Sequence, residues 1–180
     1  MVMSRMMPIA LLMVTGGFAS HSISSCQTSY GQIDCGAEMI DQLSLVGKVS
    51  LSGTHVKGDA QIKGSLSANQ AHLNHLRVEG QALLSNSQVS GSMYIDGYLS
   101  SDHVAFGPIV ANSHRMRLSD SQVDSIRIQS TGSSPELHLL GKCQVKGDIE
   151  FTGDFGKVYR SSASTLGGNV KGGQIIEIDA

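Results

Sequence analysis

The chain has 180 residues, a formal net charge of −2 and 16% charged residues. That is enough for one domain, without the basic surplus that marks a nucleic-acid binder. With no tryptophan and 4% aromatics beside 21 glycines, it excludes a thick core built on large rings and suits thin, repetitive stacking of Val, Ile, Leu and Ala.

Residues 1–25 read as a signal peptide. Arg5 precedes an apolar run over residues 6–14, and Gly17 and Ala19 offer the small residues of a cleavage site after Ala19. The run falls short of the roughly 20 apolar residues that span a bilayer. Within residues 23–26 the string "ISSC" resembles a bacterial lipobox, in which Cys26 would carry lipid. Residue 27 is not Asp, so by that resemblance a lipoprotein would go to the outer membrane. Simple cleavage into the periplasm and lipid anchoring at the outer membrane both stay open, and both mean export. Cysteine parity follows the choice. An acylated Cys26 leaves Cys35 and Cys143 available to pair, whereas an unacylated one can close a small loop with Cys35 and leave Cys143 over.

Residues 26–44 are expected to form a linker and an N-terminal cap, with "GAEMIDQL" (residues 36–43) as a short capping helix. From residue 45 to 180 the chain repeats itself. "LSGTHVKGDAQIKG" (residues 51–64) matches "LSNSQVSGSMYIDG" (residues 84–97) at an offset of 33. The finer step is 11, through Ile40, Leu51, Ile62, Leu73, Leu84, Ile95 and Phe106, all large and apolar. These form the expected core ladder. A second series at the same step, Gly58, Asn69, Gly80, Gly91 and Asp102, consists of turn residues, and Gly147 takes the same place later. Gly58, Gly80 and Gly91 are expected at positive φ, or at corners where a Cβ would clash. Within a unit Val56, Gly58, Ala60 and Ile62 alternate with polar Lys57, Asp59 and Gln61, which is strand periodicity.

The expected fold is all-β: a single-stranded parallel β-helix, or β-solenoid, of 11-residue units, with about 22 residues per coil, giving roughly six coils. The offset of 33 keeps a larger coil as the alternative. The phase slips by one at Arg117 and resumes through Leu118, Gln129, Leu140 and Phe151. Residues 131–136 read as a surface loop. "LGKCQVKGDIEFTGDF", from Leu140, restores the opening spacing and puts Cys143 in the inward place of Thr54, where a free thiol acts as a small apolar group. "QIIEIDA" (residues 174–180) reads as a last strand.

The runs "VKGDAQIKGSLSA" (residues 56–68), "VSGSMYIDGYLS" and "VKGDIEFTGDF" resemble the bactofilins, polymer-forming β-helical proteins of bacteria, over roughly residues 46–155. The resemblance implies the fold and, with it, self-association. It carries no catalytic motif.

Chemistry is sparse. His55, His72, His75, His103, His114 and His138 are scattered, without the converging ligand set that zinc requires. Asp96 and Asp102 with Arg115 and Arg117 are candidates for glycan chemistry, and Tyr94 and Tyr98 are a weak sugar platform. The six-residue steps Gly58–Gly64, Gly91–Gly97 and Gly147–Gly153 hint at a hexapeptide acyltransferase, but eleven is the step that persists. The expectation is a non-enzymatic envelope module with no cofactor and no metal. Its partners would be a membrane reached through the lipid anchor, an unidentified protein or polysaccharide, or its own copies, and not nucleic acid. A small β-helical enzyme acting on glycans is the alternative.

Overall fold

A computed structural model describes residues 26–130 and 132–179. The expected signal peptide, and all of the lipobox-like string except Cys26, lie outside the described residues. The described residues form an all-β parallel β-solenoid of about nine turns. Twenty strands pair into one continuous sheet that winds around a core of aliphatic side chains.

Each turn has three faces. The first is short, as in Met39–Ile40, Gln88–Val89 and Ala105–Phe106. It stacks Ile40 on Val56, Leu73, Val89, Phe106 and Val123 in one inward column. The second face stacks Ala60, Leu76, Met93 and Ile109, and the third Leu66, Ala82, Leu99 and Met116. Paired residues lie about 17 apart, so the expected 22 residues per coil, and the six coils drawn from it, are corrected to about 17 and about nine. The error is one of aliasing. Each face takes five or six residues, so a step of 11 moves two faces along and a step of 33 moves two whole turns. The core ladder Ile40, Leu51, Ile62, Leu73, Leu84, Ile95 and Phe106 is buried throughout. It visits the three faces in rotation rather than forming one column.

The turn series rotates in the same way. Gly58, Gly91 and Gly147 sit between the first and second faces, where their N–H groups donate to Asp41, Asn74 and Asp124 of the preceding coil. Asn69 and Asp102 precede the corner between third and first faces, where Gln70, Asn86, His103 and Asp120 adopt positive φ. Gly80 sits between second and third. Of the three glycines expected at positive φ only Gly80 has it, at 134°. At Gly58 and Gly91 the second condition holds: a Cβ would lie 2.7 Å from the Asp41 carbonyl and 2.6 Å from the His75 ring.

Gly47, Gly64, Gly80 and Gly97 stack directly on one another at the second-to-third corner. Their φ values run from 118° to 134°. The later coils turn this corner with added residues. The strands Ile109–Asn112 and Arg115–Ser119 are separated there, as are Ile126–Ser130 and Glu136–Leu140. Spacing between partners rises to 23 at Ile126–Ile149. The extra residue near Ser113 accounts for the phase slip at Arg117. Beyond it the inward residues are Ile128, beside the rule-breaking Gln129, and Leu139 rather than the expected Leu140.

The ends differ. Residues 36–43, expected as a helix, instead hold the strand Met39–Ile40 and the start of Leu43–Ser52. Parallel pairing begins at Gln32, earlier than residue 45. Gln27–Ser29 folds back antiparallel on Gln32–Cys35 and covers that edge. At the other end Thr165–Leu166, Val170–Lys171 and Gly173–Ile178 pair only towards the preceding coil.

Candidate functional site

The outer surface is a set of ladders. Outward residues of successive coils stand opposite one another, and oppositely charged ones pair: Lys63 with Glu79 at 3.2 Å, Arg115 with Glu136 at 3.0 Å, Arg127 with Glu150 at 2.8 Å and Lys146 with Asp124 at 2.9 Å. Arg160 pairs with Glu177 and Lys171 with Asp148. The hydrogen bond from Lys63 holds the Glu79 carboxyl below its ordinary value. Burial pushes Glu136 up, but Arg115 and His138 outweigh it and the net shift is downward. His138 Nε2 stands 3.5 Å from Glu136 Oε2.

A groove lies over the second-to-third corner, where the glycine column ends and the added residues begin. It has a volume of about 490 Å³ and is lined by Asp96, Gly97, Tyr98, Asn112, Ser113, His114 and Arg115. Gly97 keeps its floor flat, because a Cβ there would lie 2.0 Å from the Gly80 carbonyl oxygen. Asn112 Nδ2 donates to Asp96 Oδ1 at 3.1 Å. His114 Nδ1 meets the hydroxyls of Ser130 and Ser133, which ties this lining residue to the next coil.

Of the residues singled out by sequence, this groove joins Asp96, Tyr98, His114 and Arg115. Arg117 stands on the outward row opposite His138, and Tyr94 is covered by the Arg77 guanidinium, 4.3 Å from its centroid. Asp102 belongs to another corner. There it pairs with His103 at 3.0 Å beside Asp120, three exposed potential metal ligands whose donor atoms lie within 4.8 Å of one another. The Asp102 carboxylate raises the pKa of His103. His55 and His72 stack at 5.7 Å beside a smaller groove, and His75 lines a third with Asp59, Arg77 and Tyr94.

Cys26 and Cys35 form a disulfide that staples the terminal hairpin. Cys143 is a free, buried thiol, in the corner position that Thr54 occupies coils earlier, as the spacing implied. That position carries a pattern the sequence reading missed. Thr54, Ala71, Ser87, Val104, Ser121, Cys143 and Ser164 fill it coil by coil, all buried and nearly alternating hydroxyl with apolar. The Ser87, Ser121 and Ser164 hydroxyls accept the N–H of Ala71, Val104 and Cys143 respectively.

Among the described residues no helix is long and apolar enough to cross a membrane. These features define a three-sided parallel β-solenoid with internally paired outer ladders. No protein-family model, curated protein or solved structure matches the chain.

Proposed function

We propose that the chain is a non-enzymatic, exported scaffold of the cell envelope that works by assembling through its solenoid end. The observation that carries this reading is the asymmetry of the two ends. The N-terminal edge is covered by the antiparallel strand Gln27–Ser29. The last described coil offers three strands paired on one side only, with Leu166 and Val170 part-exposed and Ile175 45% exposed at the ends of core columns. Unpaired edges beside apolar surface are templates for pairing with another chain. A second copy presents three edges at the same spacing, and C-terminal end against C-terminal end makes a closed two-fold contact. The bactofilin-like runs support the same reading. The outer ladders favour a scaffold over a glycan-cleaving enzyme, because Glu79, Asp124, Glu136, Asp148, Glu150 and Glu177 are spent on cross-coil ion pairs.

Light scattering coupled to size exclusion tests the proposal. A concentration-dependent dimer is expected, reverting to monomer in Ile175→Lys with the circular dichroism unchanged. A protein that stays monomeric at every concentration, or an assembly that Ile175→Lys leaves intact, overturns it.

A further inference from the structure

We infer that the groove at the corner step is a binding site for an uncharged oligosaccharide. Neighbouring coils pair with each other on both sides of the corner, Asn112 on Asp96 and Met116 on Leu99, so no continuous strand edge is open to an extended peptide and the lining side chains are what a ligand meets. The side chains present suit a polyhydroxylated ring. Tyr98 is the platform. On the shaft Tyr94 is covered by Arg77 and Tyr159 is stacked on His138, whereas the Tyr98 ring has no such contact and lines the groove directly. Asp96 and Asn112 are bonded to each other at 3.1 Å and offer adjoining acceptor and donor edges for sugar hydroxyls.

Charge decides against an anion. Arg115 is held by Glu136 through Nε at 3.2 Å and a second nitrogen at 3.0 Å, so the groove's only strong cation is already spent. The Asp96 carboxylate would repel a phosphate or uronate. The site is also built rather than incidental. It lies where the flat glycine corner gives way to the longer one, and its lining residue His114 is held by the hydroxyls of Ser130 and Ser133. Loops added to one face of a repeat array are a common place for its binding surface. This inference stands independently of the end-to-end assembly.

Two-dimensional NMR of the full chain, titrated with cellotetraose and with triacetylchitotriose, tests it. Saturable shifts centred on residues 96–98 and 112–115 are expected for at least one of them. Tyr98→Ala should weaken binding about tenfold or more while leaving the rest of the spectrum in place, and Tyr94→Ala should leave binding unchanged. The absence of saturable shifts with both sugars overturns the site. So does binding that Tyr98→Ala does not weaken. Tighter binding of an oligogalacturonate than of either neutral sugar overturns the uncharged ligand class.

Discussion

Gly80 turns its corner at a φ of 134°, with the place for a Cβ 2.1 Å from the Gly64 carbonyl oxygen. Neither obstacle can relax alone, because that oxygen belongs to a stacked neighbour held by its own strand. Gly80→Ala should therefore cost more than about 1 kcal/mol in urea denaturation, and Gly80→Val more still. The sequence step marked Gly80 as a corner residue but could not separate it from Gly58, whose clash is with backbone at ordinary φ. Periodicity reports that a corner exists and says nothing about its dihedral angles. Cys143 was legible as inward for the opposite reason, since its neighbours Val145 and Ile149 reproduce the spacing of Val56 and Ala60. Burial raises its thiol pKa above the ordinary 9.0. The folded state therefore holds the proton more tightly than the unfolded chain does. Its stabilising contribution is full below about pH 9 and is lost as pH rises through the higher folded value. Relative to Cys143→Ala, the wild-type protein should lose stability above pH 9 and not below it. Denaturation midpoints of the two proteins across pH 7–11 measure this, and parallel curves would refute it.

At the scale of the element, the inward corner position shows how one coil is fastened to the next. The Ser121 hydroxyl accepts the Val104 N–H at 3.2 Å and donates to the Ser119 carbonyl at 2.6 Å. Ser121→Ala leaves a buried N–H without a partner and should cost about 1–3 kcal/mol. Val104→Ala removes apolar volume but no hydrogen bond, so the two variants separate the polar role from the packing role. The outward ladders should count for less. A double-mutant cycle on Arg127 and Glu150, both exposed, should give a coupling below about 1 kcal/mol that fades in high salt. The elements themselves were readable. Alternation of Val56, Ala60 and Ile62 with polar neighbours identified strands, and the step through Ile40, Leu51 and Ile62 picked out buried positions. The number of faces per turn was not readable, because each face carries the same small-aliphatic alternation and a repeat of 11 fits several closures. The discriminating signal lay in Gly47, Gly64, Gly80 and Gly97, where 17, 16 and 17 separate successive members. The groove was half-legible. Asp96, Tyr98 and Arg115 stood out as chemistry-bearing residues, but only the added residue near Ser113 brings Asn112 and His114 around the same corner.

For the whole molecule, the energetic difference between the ends centres on the terminal hairpin. Gln27–Ser29 is exposed along its length and contributes little burial, so its hold on the first coil depends on the Cys26–Cys35 bond, which closes a loop with a sequence separation of 9. A loop of that size corresponds to about 2–3 kcal/mol of lost chain entropy in the unfolded hairpin. Cys35→Ser should therefore raise hydrogen exchange at residues 27–35 and leave the coils beyond Leu43 protected. The same bond sets a choice about the leader. A Cys26 sulfur joined to Cys35 cannot also carry a lipid thioether, so the two export routes predict different thiol counts. Cleavage near Ser20 with the disulfide intact leaves Cys143 as the one free thiol, whereas acylation at Cys26 leaves both Cys35 and Cys143 free. Since the structure holds the bonded pair, the expected result for protein from a bacterial host is a mature chain starting near Ser20. It should show a single thiol titratable only after denaturation. Intact-mass spectrometry with thiol counting under denaturing, non-reducing conditions measures both quantities at once. A diacylglyceryl mass on Cys26 with two free thiols would establish the lipid anchor instead, and a retained Met1 would remove both export routes.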